Sequence, residues 1–201
     1  MENTVFYLGS SVTRGEGGDT DGVSFAETIA QKTGWAYCKE AVSGTTLVQR
    51  DTGDKSYVSR LALLDFSVKP RVLVVQLSTN DFAQGVPVGR CSDCTREEDC
   101  DVSQTAGAIE YIIAYVRKRS PETKIVVFTC PLAPAVPFYA QYAAFVRGTL
   151  QELAARHGFL VADLFSMPVT KGCLQPDGLH PTRLGYEKLF VPTLLNALKN
   201  L

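Results

Sequence analysis

The sequence predicts an α/β fold of three layers, a parallel sheet between helices, and three observations carry that reading. Short apolar runs alternate with segments of helical length along the chain. Two of the runs, Val-Leu-Val-Val-Gln-Leu at 72–77 and Lys-Ile-Val-Val-Phe-Thr at 124–129, are near-continuous and rich in β-branched residues, the composition of strands covered on both faces. The segments between the runs are long enough to hold crossover helices, which parallel neighbours require because tight hairpins cannot join them.

In chain order the apolar runs place strands at Thr4–Leu8, Ala36–Ala41, Val72–Leu77, Lys124–Thr129 and Leu160–Asp163. Helices are expected between and after them, at Ser24–Thr33, Ser56–Leu64, Thr105–Ser120, Phe138–His157 and Arg183–Lys199. In the third of these, Ala106, Ile109, Ile112, Ile113 and Val116 recur at helical spacing, and Arg117, Lys118 and Arg119 suit the negative end of its dipole. The polar stretch Gly85–Asp101 reads as a long loop within one domain spanning 1–201, since 201 residues with 45% hydrophobic content suit a single core.

Net charge is −1 and the 20 basic residues are scattered, so no footprint for nucleic-acid phosphates is present and a small, nearly neutral partner is expected. The first residues lack a basic stretch followed by an apolar run, and no segment approaches about 18 consecutive apolar residues. A cytoplasmic location without membrane insertion is therefore the expectation.

In open parallel sheets ligands bind outside the C-terminal ends of the strands, so the segments after each strand are where chemistry is sought. The first strand runs into Gly9-Ser10-Ser11-Val12-Thr13-Arg14-Gly15. Such a turn can hold phosphate or present a nucleophile, but no Gly-Lys-Ser/Thr follows and the glycines do not fit dinucleotide spacing. Taken alone, Ser10 or Ser11 could equally be a helix cap.

A serine nucleophile needs a base, and the chain has 2 histidines. His157, followed by Gly158, reads as a helix-end residue whose charge suits the dipole and whose neighbour suits the cap. His180 lies in Gln175-Pro176-Asp177-Gly178-Leu179-His180-Pro181, where Asp177 can take the imidazole Nδ1–H and leave Nε2 facing the cleft; a plain turn is the other reading. Ser78-Thr79-Asn80-Asp81 follows the third strand and can aim the Asn80 amide at an oxyanion, or form an Asx-turn. Gly44, after the second strand, can bring its N–H close to the same oxygen.

These four segments, in this order, resemble the SGNH hydrolases, or GDSL family of esterases and lipases, over Val5 to Pro181. Gly9-Ser10-Ser11-Val12 matches the Gly-Asp-Ser-Leu/Ile block, with Ser10 in place of Asp. Gly44 matches the second block, and Ser78-Thr79-Asn80-Asp81 matches Gly-x-Asn-Asp with Ser in place of Gly. Asp177 and His180 match Asp-x-x-His. The resemblance implies a flavodoxin-like three-layer α/β/α sandwich with five parallel strands, and acyl transfer through Ser11, His180 and Asp177 with an oxyanion hole of Ser11, Gly44 and Asn80. It implies a small-molecule ester as partner and no metal or organic cofactor. Family substrates range from acetylated carbohydrates to lysophospholipids and thioesters; a non-catalytic binding module of the same architecture is the alternative from another class.

Around this site the loop Pro131–Tyr139 is apolar and stiffened by Pro131, Pro134 and Pro137. Leu132, Val136 and Phe138, with Phe82 and Met167, are expected either to wall an acyl or leaving-group pocket or to cover the core. The absence of a long exposed apolar run favours short acyl groups. Six cysteines stand at 38, 91, 94, 100, 130 and 173. Cys91, Cys94 and Cys100 share the long loop, where free thiols, a disulfide and a structural metal are all compatible with the spacing, and none of these makes a cysteine catalytic.

Overall fold

A computed structural model describes residues 3–20, 22–51 and 53–201. Its five strands are β1 (Val5–Gly9), β2 (Tyr37–Ala41), β3 (Val72–Gln76), β4 (Lys124–Phe128) and β5 (Leu160–Ala162), all parallel and ordered β2-β1-β3-β4-β5. Each expected strand is present, with no end displaced by more than one residue, which is the ordinary uncertainty of an element's terminus. Val5 sits opposite both Tyr37 and Val72, so β1 is paired on both sides.

The helices are α1 (Ser11–Arg14), α2 (Phe25–Thr33), α3 (Tyr57–Arg60), α4 (Thr79–Ala83), α5 (Thr105–Arg119), α6 (Tyr139–Arg147), α7 (Thr149–His157), α8 (Arg183–Gly185) and α9 (Val191–Lys199). Because side chains alternate across a strand, Phe6, Leu8, Leu73 and Val75 point to one face and Val5, Tyr7, Val72 and Val74 to the other. The first set packs with Tyr57, Ile109, Ile112, Tyr142 and Leu153 from α3, α5, α6 and α7. The second packs with Phe25 and Ile29 of α2 and Leu194 and Leu198 of α9, where the Phe25 ring stacks on Phe190 with centroids 5.8 Å apart. The result is the three-layer sandwich.

Local chemistry fixes the helix ends. Ser24 and Glu27 form a capping box at the start of α2, the serine side chain accepting from Ala26 N–H and the glutamate from Ser24 N–H. Ser56 caps α3, which tightens after one turn into a 3-10 segment at Leu61–Leu63. The helix expected over Phe138–His157 is broken at Gly148, whose φ of −111° and ψ of −91° interrupt α6 and start α7. The final helix is also irregular: a π turn over Tyr186–Phe190 separates α8 from α9, with Val191 N–H reaching Tyr186 O. Pro192, next in line, has no N–H to give an α-helical acceptor, which makes the wider turn affordable there.

The strand order places the segments leaving β1 and β3 side by side while their chains depart in opposite directions, to β2 and to β4. This divergence opens a crevice at the C-terminal edge of the sheet. The loop after α4 is anchored back to the body by Thr105 N–H to Pro87 O and Ala106 N–H to Val88 O. Within it Cys94 and Cys100 form a disulfide, with Cα atoms 5.5 Å apart. Cys91 is half-buried and unpaired, Cys38 is exposed, and Cys130 and Cys173 are buried.

Candidate active site

The turn after β1 is held by one side chain that the strand pattern does not reveal. Gln76, fully buried at the end of β3, accepts through Oε1 from Ser10 N–H (3.1 Å), Thr13 N–H (3.1 Å) and Thr13 Oγ1 (2.8 Å), and donates through Nε2 to Ser10 Oγ (3.0 Å). Gly9 permits the tight bend, since a Cβ there would lie 2.0 Å from Thr13 Oγ1. Tyr186 closes the far side by donating its hydroxyl to Val12 O and Glu16 O, both at 2.9 Å. Ser11 opens α1 and is 4% exposed.

His180 arrives from the segment before α8. Leu174 and Pro181 form an antiparallel bridge and Gln175 N–H donates to His180 O at 2.7 Å, so the intervening residues bulge toward the crevice. Gly178 turns the bulge with φ of +71°, and Ala133 N–H donates to its carbonyl at 2.8 Å; a Cβ on Gly178 would lie 2.7 Å from Ala133 Cβ. The apolar loop after β4 is thus a buttress for this turn.

The two segments meet: His180 Nε2 lies 2.9 Å from Ser11 Oγ and His180 Nδ1 2.6 Å from Asp177 Oδ2. Asp177 Oδ1 accepts from Leu179 N–H (2.8 Å) and His180 N–H (3.0 Å). Partial burial pushes the Asp177 carboxyl up, but the His180 ring and these two N–H donors outweigh it and hold the group below the ordinary carboxylate range. Asp177 is therefore ionised at neutral pH, and an imidazole placed this way can take the proton of the serine hydroxyl. Glu16, which residue spacing did not single out, brings Oε2 to 3.5 Å from the same Nε2.

Gly44 and Asn80 follow β2 and β3, the two strands that flank β1. Gly44 has φ of +75° with open space around its Cα, so backbone conformation rather than crowding favours glycine. Asn80 Nδ2 donates one hydrogen to Thr45 O at 2.9 Å, which orients the amide. Buried Asp81 holds the segment after Gly44, accepting from Leu47 N–H (2.8 Å), Val48 N–H (3.4 Å) and Thr105 Oγ1 (3.3 Å). Burial pushes the Asp81 carboxyl above its usual value, against the pull of these donors. Arg60, 4% exposed, donates to Gly9 O (2.8 Å) and Thr45 Oγ1 (3.1 Å), joining the first two strand ends.

The expected pocket walls need correction. Phe82 packs edge-on against Tyr142 and Phe145 inside the core, and Leu132 is buried in the same cluster. Val136 is buried beside the Gly178 turn, its Cγ2 3.3 Å from where a Cβ on Gly178 would lie. Phe138 is half-buried against that cluster, while Met167 packs on the opposite layer and accepts a hydrogen bond from Thr193. A cavity of about 280 Å³ beside Gly44 has Thr45, Thr46, Arg50, Asp54 and Lys55 among its walls. Cys130, two residues past the end of β4, has its thiol pushed up to about 12 by burial and stays protonated, which removes it as a nucleophile. Among the described residues Cys91, Glu110 and His157 gather apart from Ser11, Asp177 and His180, one possible ligand atom of each lying within 4.8 Å of the others.

The sequence profile described as "GDSL-like Lipase/Acylhydrolase family" matches residues 7–188. No curated protein matches. Among solved structures, a candidate GDSL-like lipase from Bacteroides ovatus ATCC 8483 is 15% identical, covers 100% of both chains and superposes with a TM-score of 0.73. A protein from Lactobacillus plantarum is 18% identical over 98% of this chain and 96% of its own, with a TM-score of 0.75. TesA is 20% identical over 98% of each chain, with a TM-score of 0.69. At these identities the structures establish a shared fold.

Replacing Gln76 with leucine leaves the Ser10 and Thr13 donors buried without an acceptor, at about 1–3 kcal/mol for each such group. Gln76→Leu is expected to lower unfolding free energy by at least about 2 kcal/mol in urea denaturation. A loss within about 0.5 kcal/mol, the range of a neutral surface change, would show that the turn holds without this clamp.

Proposed function

The chain belongs to the GDSL-like lipase/acylhydrolase family, and from that premise we propose that it is a serine esterase for small, short-acyl esters. The observation that carries the reading is the continuous hydrogen-bonded relay from Asp177 through His180 to Ser11. In the proposed reaction His180 Nε2 takes the Ser11 proton as Oγ attacks the ester carbonyl. The imidazolium then protonates the leaving alcohol, and water attacks the acyl-enzyme with the same base. The tetrahedral oxyanion has three donors available: the N–H groups of Ser11 and Gly44, which donate to no acceptor among the described residues, and the Asn80 amide hydrogen not given to Thr45.

Short acyl groups fit the packing. Each buried methylene is worth about 0.8 kcal/mol, so an open apolar channel would reward chain length. Phe82 and Leu132, two of the residues that would line one, are packed in the core, and the cavity beside Gly44 carries Arg50, Asp54 and Lys55. Polar surroundings of this kind suit a hydroxyl-rich alcohol, such as an acetylated carbohydrate, better than an acyl tail.

Three measurements test this reading. A fluorophosphonate is expected to label Ser11, and Ser11→Ala to lose both labelling and turnover of p-nitrophenyl acetate while its circular dichroism is unchanged; labelling elsewhere sinks the nucleophile assignment. Asn80→Ala is expected to lower kcat by about 10²–10³-fold with little change in KM, the cost of one oxyanion donor. An unchanged kcat would leave Asn80 as a turn residue only. Across p-nitrophenyl esters, kcat/KM is expected to be highest for acetyl and propionyl, to fall from butyryl and nearly to vanish at octanoyl. A series that rises through octanoyl would point to a lipase or thioesterase.

A further inference from the structure

We propose that Cys91, Glu110 and His157 form a zinc site, separate from Ser11 and His180, that clasps the long loop after α4 to the α5–α7 pair. The three residues come from that loop, from the middle of α5 and from the last turn of α7, yet one ligand atom from each lies within 4.8 Å of the other two. Thiolate, carboxylate and imidazole together are a zinc donor set, whereas calcium and magnesium call for oxygen alone.

The geometry is close to that of a loaded site. With Zn–S near 2.3 Å and Zn–N or Zn–O near 2.0–2.1 Å, tetrahedral ligand atoms stand roughly 3.2–3.7 Å apart. His157 Nε2 and Glu110 Oε1 are already 3.0 Å apart, and a small inward movement of Cys91 completes the set. Glu110 is held in place independently of His157, since Ser92 N–H donates to Oε1 (2.6 Å) and Ser92 Oγ to Oε2 (2.7 Å), the outer-shell support that ligating carboxylates normally carry. A cavity of about 570 Å³ lined by Gly89, Arg90, Cys91, Ser92 and Glu110 opens onto the cluster, providing an entry path and room for water as fourth ligand.

Charge argues the same way. Glu110 and His157 are 2% and 4% exposed, so a divalent ion held between them would act where water and salt screen it little. Zinc with the Cys91 thiolate and the Glu110 carboxylate makes a neutral unit. On binding, the Cys91 thiol releases its proton to solvent, and the imidazole turns its Nε2 lone pair to the ion with a proton kept on Nδ1. Cys94 and Cys100, paired with each other, take no part and restrain the loop that presents Cys91.

The test uses full-length protein carrying Cys38→Ser, which removes the exposed thiol, with the Cys94–Cys100 disulfide intact. Zinc is titrated against a chromophoric chelator, cobalt(II) absorption is recorded, and melting temperature is followed. One zinc per chain, proton release, a raised melting temperature and a thiolate-to-cobalt charge-transfer band are expected. Cys91→Ala should abolish that band, and Cys91→Ala and His157→Gln should each weaken zinc binding by at least about 10-fold. Should His157→Gln fail to fold, Cys91→Ala at its half-buried position decides alone. Absence of zinc binding, unchanged binding in Cys91→Ala, or binding lost only when Cys94 and Cys100 are replaced would each overturn the proposal.

Discussion

Everything in the crevice depends on the carboxamide of Gln76. It is a polar group set in the middle of a parallel sheet, at the end of a strand whose other residues are valine and leucine. Such a group is costly to bury unless its hydrogen-bonding capacity is used, and here four bonds use it. Because Oε1 collects the donors of both Ser10 and Thr13, the chain leaving β1 has one low-energy path. Ser11, between them, is held by its neighbours rather than by its own side chain, which leaves Oγ available to His180.

The same device recurs at the other strand ends. Asp81 reaches from α4 to the N–H groups of Leu47 and Val48 and to Thr105 at the start of α5. Arg60 reaches from α3 to the ends of β1 and of the segment after β2. Parallel strands are paired along their length but their outgoing loops share no ladder, so something must fix the loops to one another. Buried, fully bonded side chains do this with more directional precision than apolar contact allows, at the cost of large penalties when one partner is removed. Three strand ends are thereby locked into one frame, into which the Asp177–His180 bulge is placed by Gly178, Ala133 and Gln175.

How much of this was legible follows from what periodicity can register. The β-branched runs of β3 and β4 announce their burial, and alternating strand and helix lengths announce the layers, because both signals come from apolar residues. The family blocks locate Ser11, Gly44, Asn80, Asp177 and His180, and the fold brings all five to one edge. Gln76 lies inside an apolar run and looks like a strand residue; Asp81 and Arg60 look like surface charges. The partners described above are 15 to 66 residues away along the chain, and only the folded topology makes them neighbours. The apolar loop at 131–138 is open to two readings, since hydrophobicity alone does not separate a pocket wall from a plug, and Leu132 is a plug. His157 misleads: its place before Gly158 suits a dipole contact, but the helix face it occupies is buried and Glu110 waits there.

Exposure divides labour within the relay. Ser11 is 4% exposed, whereas the side chains of His180 and Asp177 are 23% and 48% exposed. A carboxylate that is half in water has its field screened, so Asp177 contributes less as a charge facing the imidazolium than a buried counterpart would. What water does not weaken is its geometry. Oδ1 ties the turn through two backbone N–H groups while Oδ2 takes Nδ1, so the same residue sets the path of the chain and the orientation of the ring it supports. With Nδ1 engaged, the lone pair on Nε2 is directed at Ser11. In the proposed reaction Asp177 therefore acts chiefly by positioning, and the electrostatic demand falls on the donors that face the oxyanion, which lie at the ends of β1, β2 and β3, fixed by Gln76, Arg60 and Asp81.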